Sequence, residues 1–164
     1  MATTEIPKIP NRVARELVER NGFLLARLGF EMKARALQMA EEQGFELYDY
    51  SLLAILEESA RETQATIADA LSLDPSRLVA VLDTLEQRGL ISRQRDPLDR
   101  RRHVVSITPA GKREHAKLRE HFRRLDDEFM APLDAAERKT LHELLLRLAE
   151  VNDPRCAFQE TKPV

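Results

Sequence analysis

Apolar positions along this chain change period three times between Thr63 and Lys112. Thr66 to Leu71 reads as a short helix, and a Ser-Leu-Asp-Pro turn leads from it into a second helix over Pro75–Arg88. There Leu78, Val81, Leu82 and Leu85 fall at i, i+3, i+4 and i+7, one stripe facing a core. Asp74 suits the N-cap, Pro75 the first helical position and Gly89 the stop. The segment ISRQRDPLDRRRHVVSIT that follows reads as two short strands, around Ile91 and around Val104–Ile107, joined by a turn-forming tip. Thr108-Pro109 then opens a new helix that runs to about Met130 and stops before Pro132.

Outside this region the pattern is helical. A long helix is expected from an Asn11 cap to about Gln43, ended by Gly44, with Val13, Leu17, Phe23, Leu24, Leu28, Met32 and Leu37 among its apolar positions. Another covers roughly Tyr48–Ala60 and ends in the polar Arg61-Glu62-Thr63. Asp134 and Glu137 have the spacing of a capping box at the start of the last helix, whose stripe is Leu141, Leu144, Leu145 and Leu148. The tail 152–164 is polar and bounded by prolines, and is expected to be loosely ordered.

Two short helices joined by a tight turn and followed by a hairpin with a basic tip describe a winged helix-turn-helix. The fold expected is therefore mainly α with a small β-hairpin wing; the terminal helices carry more apolar surface than one subunit's core could cover and are expected to be dimerisation helices. The whole of 1–164 is read as one domain, with a DNA-binding lobe at 46–108, dimerisation helices at 11–43 and 109–151, and a flexible tail.

Charge sharpens the reading. The chain totals −2, yet Ile91 to Arg124 holds 11 Lys and Arg against 4 Asp and Glu. A charge run is usually a solvated face. Arginines at 100, 101 and 102 on a hairpin tip are better explained by phosphate contact and minor-groove insertion. Opposite the leucine stripe, the second helix presents Ser76, Arg77, Ala80, Thr84 and Gln87. These small or hydrogen-bonding side chains allow close approach to base edges, and Arg77 can fork onto a guanine. Taken alone, that helix reads more readily as an ordinary amphipathic surface helix; the basic ribbon that follows overturns that reading.

The stretch TIADALSLDPSRLVAVLDTLEQRGLISRQRDPLDRRRHVVSITPAGK resembles the DNA-binding core of a MarR-family transcriptional regulator. The features that carry the resemblance are LEQRGLISR at the helix end, D-P-x-D-R-R in the wing, and I-T-P-A-G-K at the entry to the next helix. It implies that Ser76, Arg77 and Thr84 face an operator, that Arg100 or Arg101 enters the minor groove, and that Asp99 holds the wing arginines. One departure is Ser72, where the family often has Gly. The resemblance also implies a homodimer interlocked through its terminal helices, reading a pseudo-palindrome with half-sites about one turn, roughly 34–36 Å, apart. The alternative is a monomeric bundle in which the same leucines fill one core.

Family members typically release DNA on binding a small aromatic or phenolic effector. Candidate lining residues here are Phe23, Arg27, Phe30, Met32, Tyr48 and Tyr50, with Arg27 able to pair an acidic group. The alternative is that Phe23, Phe30 and Met32 are core. Redox sensing is disfavoured because the single cysteine, Cys156, lies in the tail. Metal regulation is disfavoured as well: His115 and His121 are six residues apart on a helix, and His103 is read as facing phosphate or solvent.

Composition agrees with a helix-rich soluble chain: 164 residues, 43% hydrophobic, 33% charged, 5 glycines, and no apolar run near the roughly 20 residues that span a bilayer. One cysteine and no visible signal peptide fit the cytoplasm. No nucleophile elbow, phosphate loop, zinc-protease motif or dinucleotide fingerprint is present, so neither an enzyme nor a cofactor is expected. Asp126, Asp127 and Glu128 diverge on consecutive helical positions and read as surface. A winged-helix module with an architectural or protein-binding role remains the alternative, and the triple arginine argues against it.

Overall fold

The computed structural model describes residues 13–59, 62–96, 103–153 and 155, and divides into two compact units, Met1–Arg35 and Ala36–Val164. The first unit holds α1 (Arg15–Val18) and most of α2 (Asn21–Glu42). A single long helix was expected here. Instead the chain breaks at Glu19-Arg20, ahead of Asn21-Gly22, two residues that disfavour helix interiors. The expected Asn11 cap lies outside the described residues.

The second unit carries the remainder: α3 (Leu47–Ser59), β1 (Glu62–Thr63), α4 (Gln64–Leu71), α5 (Pro75–Gln87), β2 (Ile91–Arg95), β3 (His103–Ile107), α6 (Pro109–Phe129) and α7 (Ala135–Asn152). Leu52, Leu53 and Leu56 of α3 and Ile67 of α4 are wholly buried. So are Leu82 and Leu85 of α5 and Val105 of β3, and these side chains form the centre of one core. Leu78 and Val81 complete the expected stripe at 2% and 5% exposure.

The caps explain where the helices begin. Thr63 Oγ1 accepts from Thr66 N, and Asp74 Oδ1 accepts from Arg77 N at 3.0 Å with Pro75 in the first turn. Asp134 and Glu137 close a reciprocal capping box. Between α4 and α5, Ser72 adopts a left-handed conformation (φ 52°, ψ 40°) at the place where a glycine would be unstrained.

The sheet has three antiparallel strands in the order β1-β3-β2. The hairpin register runs from Ile91↔Ile107 to Arg95↔His103. β1 was not expected. Glu62 and Thr63, read as a polar helix end, pair with Val105 and Val104.

After α5 the chain turns at Gly89 (φ 69°) and packs tightly onto the start of α6. Thr108 donates its backbone N–H to Leu90 O at 3.0 Å and its hydroxyl to Gly89 O at 2.7 Å, while Thr108 Oγ1 accepts from Gly111 N at 3.0 Å. A Cβ at Gly111 would collide with the Leu90 carbonyl oxygen and come within 2.8 Å of Ile107 Cγ1. The T-P-A-G sequence thus caps the helix and provides the space for its close approach.

Candidate nucleic-acid interface

The exposed face of α5 is the centre of the site. Ser76, Arg77, Ala80, Thr84 and Gln87 are all exposed, on the side away from the buried leucines. The capped N-terminus fixes the backbone beneath Ser76 and Arg77. Thr84 Oγ1 donates to Ala80 O at 3.0 Å, so in this rotamer its hydroxyl proton is committed and its oxygen is left to accept. Val79 joins this surface at 42% exposure. It is not among the residues the sequence pattern singles out, although an exposed branched side chain can pack on a thymine methyl group. Val79 and His103 also line a groove of about 560 Å³ with Thr63, Gln64, Ala65 and Pro75.

Arg93 of β2 ties the hairpin to α5. Its Nε donates to Glu86 Oε2 at 2.9 Å, its Nη2 lies 2.6 Å from Asp83 Oδ1, and its backbone N–H donates to Glu86 Oε1 at 2.9 Å. The hydrogen bond from Arg93 holds the Glu86 carboxyl below its usual range, and that same bond raises Arg93. Sequence reading had counted Arg93 only as part of the basic excess; the signal available was Asp83 and Glu86 at i and i+3 on the preceding helix.

Other charges in that excess are paired too. Lys112 meets Glu57, Lys117 meets Glu114, Arg123 bridges Glu120 and Asp127, and Arg124 meets Glu120. Two arginines hold the Glu120 carboxyl down at about 2. On the α5 face, by contrast, no ion pair to a carboxylate is seen for Arg77 among the described residues. The tip residues Asp99, Arg100, Arg101 and Arg102 lie outside the described residues.

A second groove, about 670 Å³, runs beside α5 and is lined by Leu37, Glu41, Phe45, Tyr48, Arg77 and Arg88 among others. Arg88 donates Nη1 to Gly44 O at 2.9 Å and lies 3.8 Å over the Phe45 ring. The Arg77 guanidinium sits 5.0 Å over the Tyr48 ring. Asp49 is buried and accepts from Glu46 N at 2.8 Å, closing the first turn of α3; burial raises its pKa.

The candidate effector residues are distributed by helical geometry. Phe23, Arg27 and Phe30 share a face of α2 at i, i+4 and i+7, whereas Met32 falls on the opposite side. Phe30 is 74% exposed, so it is not core within this chain. Tyr48 and Tyr50 diverge: Tyr48 faces Arg77, and Tyr50 stacks on Phe122 at 4.0 Å with His115 at 5.5 Å. His115 is 5% exposed and its Nε2 has no hydrogen-bond partner among the described residues. No group of three or more metal-ligating side chains occurs among the described residues. Nor is any helix among them long and apolar enough to cross a membrane.

Comparison with known proteins places this arrangement. The MarR family model matches residues 46–103, the segment from α3 through the hairpin. A putative transcriptional regulatory protein for the hcr operon of Thauera aromatica is 38% identical over 99 residues, 60% of this chain and 60% of that protein. The chain thus spans about three-fifths of that relative's length. The PcaV transcriptional regulator of Streptomyces coelicolor is 30% identical with a TM-score of 0.65, covering 82% of this chain and 98% of that one. CouR from Rhodococcus jostii, solved bound to p-coumaroyl-CoA, is 26% identical with a TM-score of 0.72 over 90% of this chain and 100% of its own. With its capped α5, three-stranded wing and flanking helices matched in this way, the chain belongs to the MarR family of transcriptional regulators.

Proposed function

We propose that this protein is a sequence-specific DNA-binding repressor that binds a pseudo-palindromic operator as a homodimer and is released by a small organic ligand. The observation that carries the DNA reading is the α5 face: an N-terminus fixed by Asp74, polar side chains turned outward, and a basic hairpin clamped alongside through Arg93. Ser76, Arg77, Ala80, Thr84 and Gln87 read bases or meet phosphates from the major groove. Arg100, Arg101 and Arg102 contact the backbone or minor groove, with Asp99 bracing them.

The second copy is supported by exposed apolar surface. On the helices of the first unit Leu25, Leu28 and Phe30 are 51%, 53% and 74% exposed, and on α7 Leu144, Leu148 and Val151 are 50%, 52% and 81% exposed. So much aliphatic area left in water is the mark of an interface. An aromatic effector is supported by CouR, whose structure holds p-coumaroyl-CoA. Phe23, Arg27 and Phe30 on one face of α2 are the residues proposed to meet such a ligand, Arg27 taking its acidic group; Met32, Tyr48 and Tyr50 point elsewhere and are weaker candidates.

The test is selection of bound sequences from a random duplex library at moderate salt. A pseudo-palindrome with half-sites one helical turn apart supports the dimeric operator reader. Salt-sensitive binding without sequence preference transfers the function to an architectural or protein-binding role.

A further inference from the structure

The arginines around α5 are held in different ways. Arg93 spends its donors on Glu86 and Asp83, and Arg88 donates to Gly44 O. Arg77 meets no carboxylate among the described residues; its guanidinium lies over the face of Tyr48. The difference matters chemically. A carboxylate partner neutralises an arginine and occupies the N–H groups along the edge of its plane. An aromatic ring neither neutralises the charge nor takes up the N–H donors as a carboxylate does, so both stay available.

We propose that Tyr48 is a positioning residue for operator reading, holding the Arg77 guanidinium over its ring with the N–H donors left for a base. This rests on the reading of Arg77 as a base contact. The platform is firm: Tyr48 is half-buried near the start of α3, whose first turn is closed by the buried Asp49 carboxylate on Glu46 N. Arg77 stands three residues after the Asp74 cap, on the end of α5 that enters a groove first. Ring and helix start therefore fix the two ends of one long side chain. Part of the rotamer freedom that Arg77 would otherwise lose on meeting DNA is thus already given up in the free protein. The requirement at position 48 is for a ring, not for its hydroxyl.

The experiment measures full-length wild type, Tyr48→Phe, Tyr48→Leu, Tyr48→Gln, Arg77→Ala and the Tyr48→Leu/Arg77→Ala double variant. Each is titrated on the selected operator and on duplexes with every half-site base replaced in turn, and thermal melting verifies folding. Tyr48→Phe should reproduce wild type. Tyr48→Leu and Tyr48→Gln should lose roughly two- to fivefold of discrimination, the range of an exposed cation–π contact, at the base position where Arg77→Ala loses it. In the Arg77→Ala background the Tyr48 change should add nothing. A wild-type base profile in folded Tyr48→Leu and Tyr48→Gln, or a loss that persists undiminished without Arg77, overturns the proposal. If Arg77→Ala alters base preference and the Tyr48 variants do not, only this inference falls. If Arg77→Ala itself matches wild type, the base contact falls and the inference with it.

Discussion

Replacing Arg93 with methionine tests whether the hairpin is anchored to α5 by charge or merely by the strand ladder. The substitution keeps an unbranched stem of similar length and removes three side-chain contacts to Glu86 and Asp83. Hydrogen bonds to charged groups contribute about 1.5–3 kcal/mol, while fully exposed ion pairs contribute about 0.2–1. Arg93 is 21% exposed but its partners are 36% and 47% exposed, so water screens much of the gain and about 1–2 kcal/mol is a fair expectation. For a chain of this size that corresponds to a melting temperature lower by about 2–8 °C, read at fixed protein concentration. The effect should carry a pH signature. Glu86 is depressed in the folded state, so its contribution is full above the unfolded value of 4.5 and is lost as pH falls through the folded one. Arg93→Met should therefore cost most near neutral pH and converge on wild type in acid. A melting temperature within 1 °C of wild type at low salt, with a parallel pH profile, would refute the clamp.

Gly111→Ala should lower stability by about 1–3 kcal/mol through forced overpacking against the Leu90 carbonyl, seen as an early thermal transition; an unchanged melt would mean the α6 start yields freely. Ser72→Gly should raise stability by up to about 1 kcal/mol, because the left-handed conformation costs an L-residue about 1–2 kcal/mol and glycine's unfolded-state entropy returns part of that. Destabilisation in the same melt would show that the serine hydroxyl is needed. His115 is held below its ordinary value of 6.5 chiefly by burial, with Arg119 adding to the shift and Glu57 opposing it. Folding stability should thus fall as pH drops below about 6.5, where the unfolded chain binds a proton the buried ring resists. His115→Phe should flatten that slope in denaturant titrations at pH 5 to 8; an identical slope would remove His115 from the account.

The elements that could be read from sequence were those set by local chemistry. The limits of α5 followed from Asp74, Pro75 and Gly89, and its inner face from four residues of strict helical spacing, all of them buried. The α7 box followed from Asp134 and Glu137 in the same way. What escaped was non-local or too short to carry a period. β1 is two residues whose pairing with Val104 and Val105 depends on a strand some forty positions away. The break between α1 and α2 sits in a polar tetrapeptide without proline, where propensity alone gave too weak a signal. Within the candidate site, the outward face of α5 was legible, whereas the partners of its arginines were not. Tyr48 was read as effector lining because aromatic residues suggest a pocket, and only the tertiary fold brings its ring beneath Arg77.

The junction at Gly89, Leu90 and Thr108 makes α6 a lever arm with α5 fixed to one end of it. Three hydrogen bonds and a contact too close for a Cβ leave no compliant hinge at that point. A rod of 21 residues, about 31 Å long, displaces one end by about 3 Å for each 5° of tilt about the other. That travel is close to the roughly 3.4 Å separating successive base pairs. A few degrees of rotation about the distal end of α6 would therefore shift α5 by nearly one base-pair step, without any rearrangement inside the lobe itself.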